Sequence, residues 1–287
     1  MKSIAVIGSS GQLGSDIVSV FSKSEWQVLP VNHDILTVED GLQVHKYFSD
    51  NKVDVIVNTA ALHQVGICEN EVSRSWAVNA QGSSNIAAAA KAQGAKYVYI
   101  STDYVFDGEK GLPYSESDQV SPINVYGASK AAGEFVALTH SPNNIVARIS
   151  SVFGLAGSSG KGGNFVETIL NKAKKGEDLR VVDDMFMAPS YTRDIANKLL
   201  NVLDQNLSGI FHLSNLGRAS WYEFAAEICK QVGLGVQIEK TKTDMVSLPR
   251  RPIDSSLSTD KLISLGIHQR SWQDALNAYL IEKGHIS

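Results

Sequence analysis

The sequence predicts a doubly wound parallel α/β sheet followed by a smaller C-terminal α/β lobe. Short apolar segments alternate with helical patterns over the first 150 residues, and a glycine-rich turn follows the first of these segments. Alternating strands and helices favour a parallel sheet that binds its ligand at the carboxyl ends of the strands. The length of 287 residues allows one large domain and an appended smaller one.

Composition excludes several classes of function. The net charge is −4 without a basic block, so we expect no nucleic-acid partner. Apolar runs stay well short of the ~20 residues of a membrane span, and a strand begins too early for a signal peptide. Cys68 and Cys229 are too few for a disulfide framework and lack metal-ligand spacing. We therefore expect a cytoplasmic protein with no membrane partner and no metal site.

A glycine-rich turn over residues 8–14 follows the first predicted strand at residues 4–7 and leads into an amphipathic helix. This order is typical of a dinucleotide-binding unit, although the spacing is G-x-x-G-x-x-G. The glycines allow the backbone to approach a pyrophosphate, and the helix N-terminus stabilises its charge. A plain turn between strand and helix is the alternative. The candidate cofactor residues are Gly8, Ser10, Gly11, Gln12, Leu13 and Gly14.

The second predicted strand, residues 27–31, ends at Asn32 rather than at the acid that would bind an adenosine ribose. Asp34 and Ile35 follow and are candidates for the adenine end. Lack of an acid relieves repulsion of a 2′-phosphate, yet no Arg or Lys stands nearby in the sequence. NADPH and NADH therefore both remain open, and turn chemistry is an equal alternative for Asn32 and Asp34.

The third predicted strand, residues 53–57, is followed by the small residues of Asn-Thr-Ala-Ala. Small side chains at this end of a parallel strand leave room for a ligand. An alanine-rich helix is predicted over residues 72–92. We expect Asn79 to lie on its exposed surface.

Tyr126 and Lys130 stand four residues apart at a predicted helix start, so they share one face. An ammonium beside the phenol would lower the tyrosine pKa from about 10 and make Tyr126 a proton donor. A fourth strand, residues 97–100, precedes Ser101 and Thr102, whose hydroxyls would face the ligand crevice. A chance surface pair is the alternative for Tyr126 and Lys130.

The character of the chain changes after Phe153. Residues 154–163 predict a mobile glycine- and serine-rich loop. Helices are predicted at 164–175, 193–203, 220–232 and 271–281, and strands at 179–182 and 210–213, with Ser220 and Glu223 forming a capping box. We place a dinucleotide-binding domain at 1–153, to which the chain returns at about 191–216. A substrate-binding lobe would comprise 154–190 and 217–287.

Taken together, these motifs resemble those of the extended short-chain dehydrogenase/reductases, and more closely the dTDP-4-dehydrorhamnose reductase family. The closer resemblance spans nearly the whole chain. It rests on Gly11-Gln12-Leu13-Gly14, STDYVFDG from Ser101, Pro113-Tyr114 with Glu116, VYGASK from Val125, Gly163-Asn164-Phe165, VVDD from Val181, HLSN from His212, SWYEFA from Ser220, and Arg251-Pro252 with Ser255.

The resemblance implies that Thr102, Tyr126 and Lys130 are the catalytic set and that the last two also contact an NADPH or NADH cofactor. It also implies that Ala60, Ala61 and Leu62 line the cofactor. The family reduces the 4-keto group of a dTDP-linked 6-deoxy sugar in dTDP-L-rhamnose biosynthesis. A nucleotide sugar is the expected partner, and a homodimer is one option for assembly. The implied substrate residues are Val65, Thr102, Asp103, Tyr104, Tyr126, Ser151 and Arg251.

Two other functions stay open at this point. One is reduction or epimerisation of a different nucleotide sugar. The other is a non-catalytic, dinucleotide-binding regulatory subunit, such as the one that accompanies methionine adenosyltransferase.

The chain departs from the family pattern on the side predicted to hold the sugar. Gly66 replaces an Asp, and Ser151 replaces a Trp that packs on the sugar. Met185 occupies a position where the family has Gln, and Met187 occupies a position where it has Gly. We therefore predict intact hydride chemistry with an altered sugar pocket.

Overall fold

Six parallel strands form the central sheet in this computed structural model, which describes residues 1–157, 163–244 and 249–287. Their spatial order is β2–β1–β3–β4–β5–β10, so the direction of winding reverses between β1 and β3. The ligand crevice of such a sheet lies at the carboxyl ends of these two strands. The predicted doubly wound fold is confirmed. Numbered by position in the chain, the strands are β1 (Ser3–Ile7), β2 (Gln27–Val31), β3 (Val55–Asn58), β4 (Lys96–Thr102), β5 (Ile145–Ile149) and β10 (Gly209–His212).

Helices cover both faces of this sheet. The predicted helix over 72–92 is instead three segments, with a π-helical turn at Ala77–Gln81 between two α-helices. A 3₁₀ turn, Asp103–Val105, follows β4 directly. The α-helices of this part are α1 (Gln12–Phe21), α2 (Gly41–Asp50), α3 (Val65–Asn70), α4 (Val72–Trp76), α5 (Gly82–Gln93), α6 (Val125–His140) and α8 (Thr192–Asp204).

Alternate residues of each strand face opposite layers of helices. In β1, Ile4 and Val6 belong to the core shared with α1 and α8, whereas Ala5 and Ile7 belong to the core shared with α2, α5 and α6. Strands buried on both faces read as continuous apolar runs, which is why the sequence pattern located them.

The smaller lobe is built around an aromatic cluster of Phe153, Tyr191, Phe224, Trp272 and Tyr279. Three two-stranded pairs flank it: β7 with β12 and β6 with β9 in parallel, and β8 with β11 antiparallel. Its elements are β6 (Val152–Phe153), α7 (Phe165–Lys174), β7 (Leu179–Val182), β8 (Phe186–Met187), β9 (Ser190–Tyr191), β11 (Ala219–Ser220), α9 (Trp221–Gln231), β12 (Ile238–Thr241) and α11 (Trp272–Glu282), while α10 (Asp260–Ser264) packs near β10.

Predicted element bounds in this half lie within one residue of the observed ones, and β7 has the predicted bounds. The capping box at α9 is confirmed: Ser220 Oγ accepts from the Glu223 amide at 3.1 Å, and Glu223 Oε2 accepts from the Ser220 amide at 2.7 Å. Of the predicted mobile loop, residues 158–162 lie outside the described part of the chain. Among the described residues, no helix has both the length and the apolar character needed to cross a membrane.

Candidate active site

A cavity of about 870 Å³ opens at the carboxyl edge of the central sheet. All but three of the residues predicted for the site line it, although they come from widely separated segments. They are Gly8, Ser10, Gly11, Gln12, Leu13, Gly14, Ala60, Ala61, Leu62, Val65, Thr102, Asp103, Tyr104, Tyr126, Lys130, Ser151 and Arg251.

Close backbone packing shapes the glycine turn at one end of the cavity. Gly8 has a φ of +78°, and a Cβ there would lie 2.5 Å from Thr59 Oγ1. A Cβ on Gly14 would lie 2.1 Å from the carbonyl oxygen of Gly8. Glycine lets these segments pack this closely, and the turn and the N-terminus of α1 line the cavity, which suits an anionic pyrophosphate.

The three predicted residues that do not line the cavity are Asn32, Asp34 and Ile35. Asn32 Oδ1 accepts from the Ile35 amide at 3.2 Å, which is the turn chemistry considered as an alternative, and Asp34 is exposed. The residues that do line this end include His33, Leu36, Val38 and Glu39.

Arg74 of α4 also lines this end of the cavity, where we expected no Arg or Lys. Its Nη1 donates to Glu71 Oε2 at 2.8 Å. Arg74 lies more than forty positions beyond the end of β2, so local spacing carried no signal for it.

Asn79 is buried rather than exposed as predicted, with 1% of its surface accessible. It lies in the π-helical turn, whose altered register points its amide inward. Its Oδ1 accepts from the Leu62 amide and its Nδ2 donates to the Leu62 carbonyl, both at 3.0 Å. Nδ2 also donates to Ser129 Oγ on α6 at 3.0 Å. Asn79 thus holds the 60–62 loop against the helix that carries Tyr126 and Lys130; π-helical turns often occur at such sites.

The start of α6 is fixed from two sides. Asn124 Oδ1 accepts from the Gly127 amide at 2.8 Å, and Glu69 Oε1 of α3 accepts from the Val125 amide at 2.8 Å. A Cβ on Gly127 would lie 2.1 Å from the carbonyl oxygen of Tyr104, so the helix packs directly on the 3₁₀ turn after β4. This brings Tyr126 beside Thr102.

Burial sets the ionisation of the Tyr126 phenol. It raises the pKa of Tyr126 above its usual value, and a hydrogen bond with Thr102 opposes this in part. The direction is opposite to the predicted lowering by Lys130. The phenol is protonated at neutral pH, as a proton donor must be, and its raised pKa makes it a weaker acid than a free phenol.

Lys130 is enclosed and directs its ammonium elsewhere. Its Nζ donates to the Ile100 carbonyl at 2.5 Å and lies 4.0 Å from the centre of the Tyr99 ring. Burial lowers the pKa of Lys130 to about 7, with the Glu134 carboxylate opposing that shift. These contacts account for the absence of the predicted effect on Tyr126.

Asp103 lies at the wall of the cavity, and its carboxylate accepts hydrogen bonds from three hydroxyl groups. Oδ1 accepts from Thr102 Oγ1 at 3.0 Å, and Oδ2 accepts from Ser150 at 2.8 Å and from Ser255 at 2.6 Å. Burial raises the pKa of Asp103 to about 6, and the hydroxyl groups oppose this rise.

A second cavity, of about 590 Å³, adjoins the first and shares the lining residues Phe165, Thr168, Trp221 and Arg251. Phe165 and Trp221 form an edge-on aromatic pair with centroids 4.7 Å apart. Among the described residues, four cationic side chains line this cavity together with the acidic Asp107, Glu109 and Asp244; the cations are Lys172, Arg180, Arg250 and Arg251. Sequence reasoning missed most of these cations because they come from three separate segments of the chain.

Comparison with known protein families matches residues 1–284 to the family described as RmlD substrate binding domain. Relatives named dTDP-4-dehydrorhamnose reductase match over nearly the full chain; one from Aggregatibacter actinomycetemcomitans is 34% identical and covers 96% of this chain and 97% of its own. The chain belongs to the dTDP-4-dehydrorhamnose reductase family. The predicted family membership is therefore confirmed.

Two further relatives bear on the site. The spore coat polysaccharide biosynthesis protein SpsK of Bacillus subtilis is 35% identical, covering 99% of this chain and 98% of its own. The crystal structure of dTDP-4-dehydrorhamnose reductase from Bacillus anthracis in complex with NADP is 32% identical, with a TM-score of 0.92, covering 98% of this chain and all of its own.

The departures from the family pattern do not all fall on the cavities. Ser151 lines the first cavity with a φ of +41°, which is unusual for a residue other than glycine. Met185 lines the second cavity. Met187 is not among the described residues that line either cavity; it is buried in the core of the smaller lobe. The predicted clustering of these changes around the sugar is therefore wrong for Met187.

Proposed function

We propose that this protein is an NAD(P)H-dependent reductase of the 4-keto group of dTDP-4-dehydrorhamnose, acting in dTDP-L-rhamnose biosynthesis. The observation that carries the proposal is the meeting of Thr102, Tyr126 and Lys130 on the cavity that begins at the glycine turn. The relatives named dTDP-4-dehydrorhamnose reductase support the substrate, and the Bacillus anthracis complex with NADP supports the cofactor.

The first cavity fits a dinucleotide because the closely packed glycine turn and the N-terminus of α1 line one end of it. The turn at residues 8–14 would hold the pyrophosphate, the 60–62 loop would lie along the adenosine half, and Lys130 would hold the nicotinamide ribose. When bound, the nicotinamide supplies the hydride that the keto carbon receives. Asn32, Asp34 and Ile35 have no part in this proposal.

Tyr126 acts as the acid in this mechanism. Its phenol is protonated at neutral pH and gives its proton to the sugar oxygen as negative charge develops there. The Thr102 hydroxyl is hydrogen-bonded with Tyr126 and would lie beside the same sugar oxygen. Thr102 is buried and Tyr126 is half-buried, and this low-dielectric environment strengthens their interactions.

The second cavity would hold the nucleoside diphosphate. Its cationic side chains suit the pyrophosphate, and the Phe165–Trp221 pair offers an aromatic surface for the base. The sugar would then lie where the two cavities join, near Arg251, with Val65, Tyr104 and Ser151 on the wall of the first cavity.

This division of labour leads us to propose two units. Residues 1–153 together with about 191–216 would form the dinucleotide-binding domain, and 154–190 with 217–287 the substrate-binding lobe. A cytoplasmic location, and a homodimer as one option for assembly, stay predictions.

The test is oxidation of NADPH and NADH by the purified protein with a panel of 4-keto sugar nucleotides. We expect turnover with dTDP-4-dehydrorhamnose and formation of dTDP-L-rhamnose. Faster turnover of another nucleotide sugar would contradict the substrate assignment. Cofactor binding without turnover on any member of the panel would contradict the enzymatic role and favour the regulatory subunit.

A further inference from the structure

One carboxylate, that of Asp103, joins three segments that meet under the proposed site. Thr102 comes from the end of β4, Ser150 from the turn after β5, and Ser255 from the C-terminal segment that also carries Arg251. Asp103 is only 3% exposed. A buried carboxylate with three hydroxyl donors is a built feature of the site rather than a surface charge.

The bond to Oδ1 fixes the direction of the Thr102 hydroxyl. A hydroxyl group has one hydrogen, and Thr102 Oγ1 donates it to Asp103. Thr102 Oγ1 also accepts from the Tyr104 amide at 3.2 Å. Because the hydrogen of Thr102 Oγ1 points to Asp103, the remaining lone pair of this oxygen can accept from the Tyr126 phenol or from a donor in the cavity.

The bonds to Oδ2 hold the substrate side of the cavity. Ser150 precedes Ser151, whose backbone is in the left-handed region and which lines the cavity; Ser150 Oγ also accepts from the Ala188 amide at 3.2 Å. The Ser255 amide donates to the Phe186 carbonyl at 3.0 Å, which ties this segment to the smaller lobe. The same carboxyl group therefore positions the Thr102 hydroxyl and two parts of the sugar pocket.

We propose that Asp103 is a positioning residue whose ionised carboxylate holds the Thr102 hydroxyl, the Ser151 turn and the Arg251 segment in one active arrangement, which protonation disrupts. This inference rests on the proposed reductase function. It also changes the role implied by the resemblance, in which Asp103 would contact the sugar directly.

Protonation matters because a carboxylic acid carries a hydrogen on one oxygen, so one hydroxyl donor loses its acceptor. Burial raises the pKa of Asp103 to about 6, which puts this change within reach of ordinary assay conditions. The titratable groups that face Asp103 are the phenols of Tyr104 and Tyr126, and Arg251 faces Tyr104. Asp254, the charged neighbour of Ser255, is paired with Arg218 at 2.8 Å.

The main experiment compares the pH dependence of kcat in the wild type and in Asp103→Asn, with NADPH and dTDP-4-dehydrorhamnose. We expect kcat of the wild type to rise with a midpoint near pH 6. In Asp103→Asn that acid limb should be absent and kcat on the plateau should fall about 10- to 100-fold, because an amide has one acceptor oxygen and cannot hold the Thr102 hydroxyl and the two serine hydroxyls together. NADPH affinity should not change. A variant with kcat within about twofold of the wild type and the same acid limb would overturn the proposal.

Two serine variants keep the proposal testable if Asp103→Asn does not fold. Each hydroxyl bond lowers the pKa of Asp103, so Ser150→Ala and Ser255→Ala should each move the acid limb to higher pH. Ser255→Ala should also raise KM for the sugar nucleotide more than it lowers kcat, since the Thr102 bond remains. An unmoved limb in both variants would overturn the proposal.

Asp254→Asn is the matched control for loss of a buried carboxylate. Asp254 is 2% exposed and pairs with Arg218, so its loss should lower thermal stability while the acid limb stays in place. An acid limb abolished by this variant would assign the titration to general destabilisation and overturn the role of Asp103.

Infrared difference spectra separate failure of this inference from failure of the proposed function. A carboxyl band that titrates near pH 6 in the wild type and is missing in Asp103→Asn needs no substrate. An inactive wild type with this band would sink the reductase function alone. An active wild type without this band would sink the positioning role alone.

Discussion

The two ends of the cavity differ in the residues that form them. The glycine-turn part of the dinucleotide end consists of backbone and small residues, Gly8, Gly14 and Ala60 among them, positioned by strand register and by tight turns. The substrate end consists of long side chains such as Phe165, Trp221 and Arg251, which converge from separate segments of the chain. The shape of the first end depends on glycines, which lack a Cβ. The shape of the second end depends on the positions of large side chains.

This difference sets how each end responds to substitution. At the dinucleotide end an added methyl group has backbone to displace, and backbone yields little. At the substrate end a side chain can be exchanged with local repacking, and the cost falls on recognition of the sugar nucleotide. The predictions below test that contrast, from the largest expected effect to the smallest.

Tyr126→Phe should have the largest effect, since the catalytic set lies where the two ends meet. The change keeps the ring but removes the proton, so kcat should fall by about 10²- to 10⁴-fold. NADPH affinity, measured by fluorescence titration, should stay the same. Tyr222→Phe, on α9 and outside both linings, is the control and should leave kcat unchanged. Wild-type turnover in Tyr126→Phe would sink the assignment of the acid.

Gly14→Ala tests the dinucleotide end. The new Cβ would lie 2.1 Å from the Gly8 carbonyl oxygen, so the free energy of unfolding should fall by about 3 kcal/mol and NADPH binding should weaken. Gly235→Ala, in the smaller lobe, has no heavy atom within 4 Å of the new Cβ and should be neutral or slightly stabilising. Urea denaturation measures the free energy of unfolding of both variants. Equal losses in the two variants would contradict the special sensitivity of the dinucleotide end.

Lys130→Met tests the buried cation through its pH dependence. The pKa of Lys130 falls from 10.5 to about 7 on folding, so between these values the unfolded chain holds more protons at this residue. Its contribution to stability therefore rises with pH above 7 and is lost as pH falls through 7. The gain in unfolding free energy from about pH 7 to 9.5 should be smaller in Lys130→Met than in the wild type.

Lys198→Met is the control for that measurement. Lys198 lies on α8, away from both cavities, and burial lowers its pKa to about 8. Its removal should flatten the stability curve only above pH 8 and leave the rise between pH 7 and 8 intact. The same rise in Lys130→Met and the wild type would contradict the buried state of Lys130.

Ser151→Gly should give the smallest effect and concerns the substrate end. Relief of the positive φ should outweigh the added flexibility of glycine and raise the unfolding free energy by about 0.5 to 1 kcal/mol. Asn206→Gly is the control: Asn206 has a φ of +52°, but asparagine tolerates this region and its Oδ1 accepts from Lys96 Nζ at 3.0 Å. A greater gain at Asn206 than at Ser151 would argue against strain in the sugar pocket.

Local patterns predicted the elements and much of the dinucleotide end. Strands buried on both faces are continuous apolar runs, the glycine turn follows β1 directly, and Tyr126 and Lys130 lie one helical turn apart. The predictions failed where a local pattern has more than one outcome. Asn79 was expected on the surface because a π-helical turn has no clear sequence signal, and Asn32 caps its own turn instead of facing the cavity.

The sequence by itself determined the fold class, the family and the candidate catalytic set, because each follows from short-range residue spacing or from motifs spread along the chain. Only the tertiary structure decided the ionisation of Tyr126 and Lys130, the position of Arg74 and the second cavity. The physical reason is that burial and long-range approach set these properties. The carboxylate of Asp103 is the clearest case, because its donors Ser150 and Ser255 lie 47 and 152 residues further along the chain.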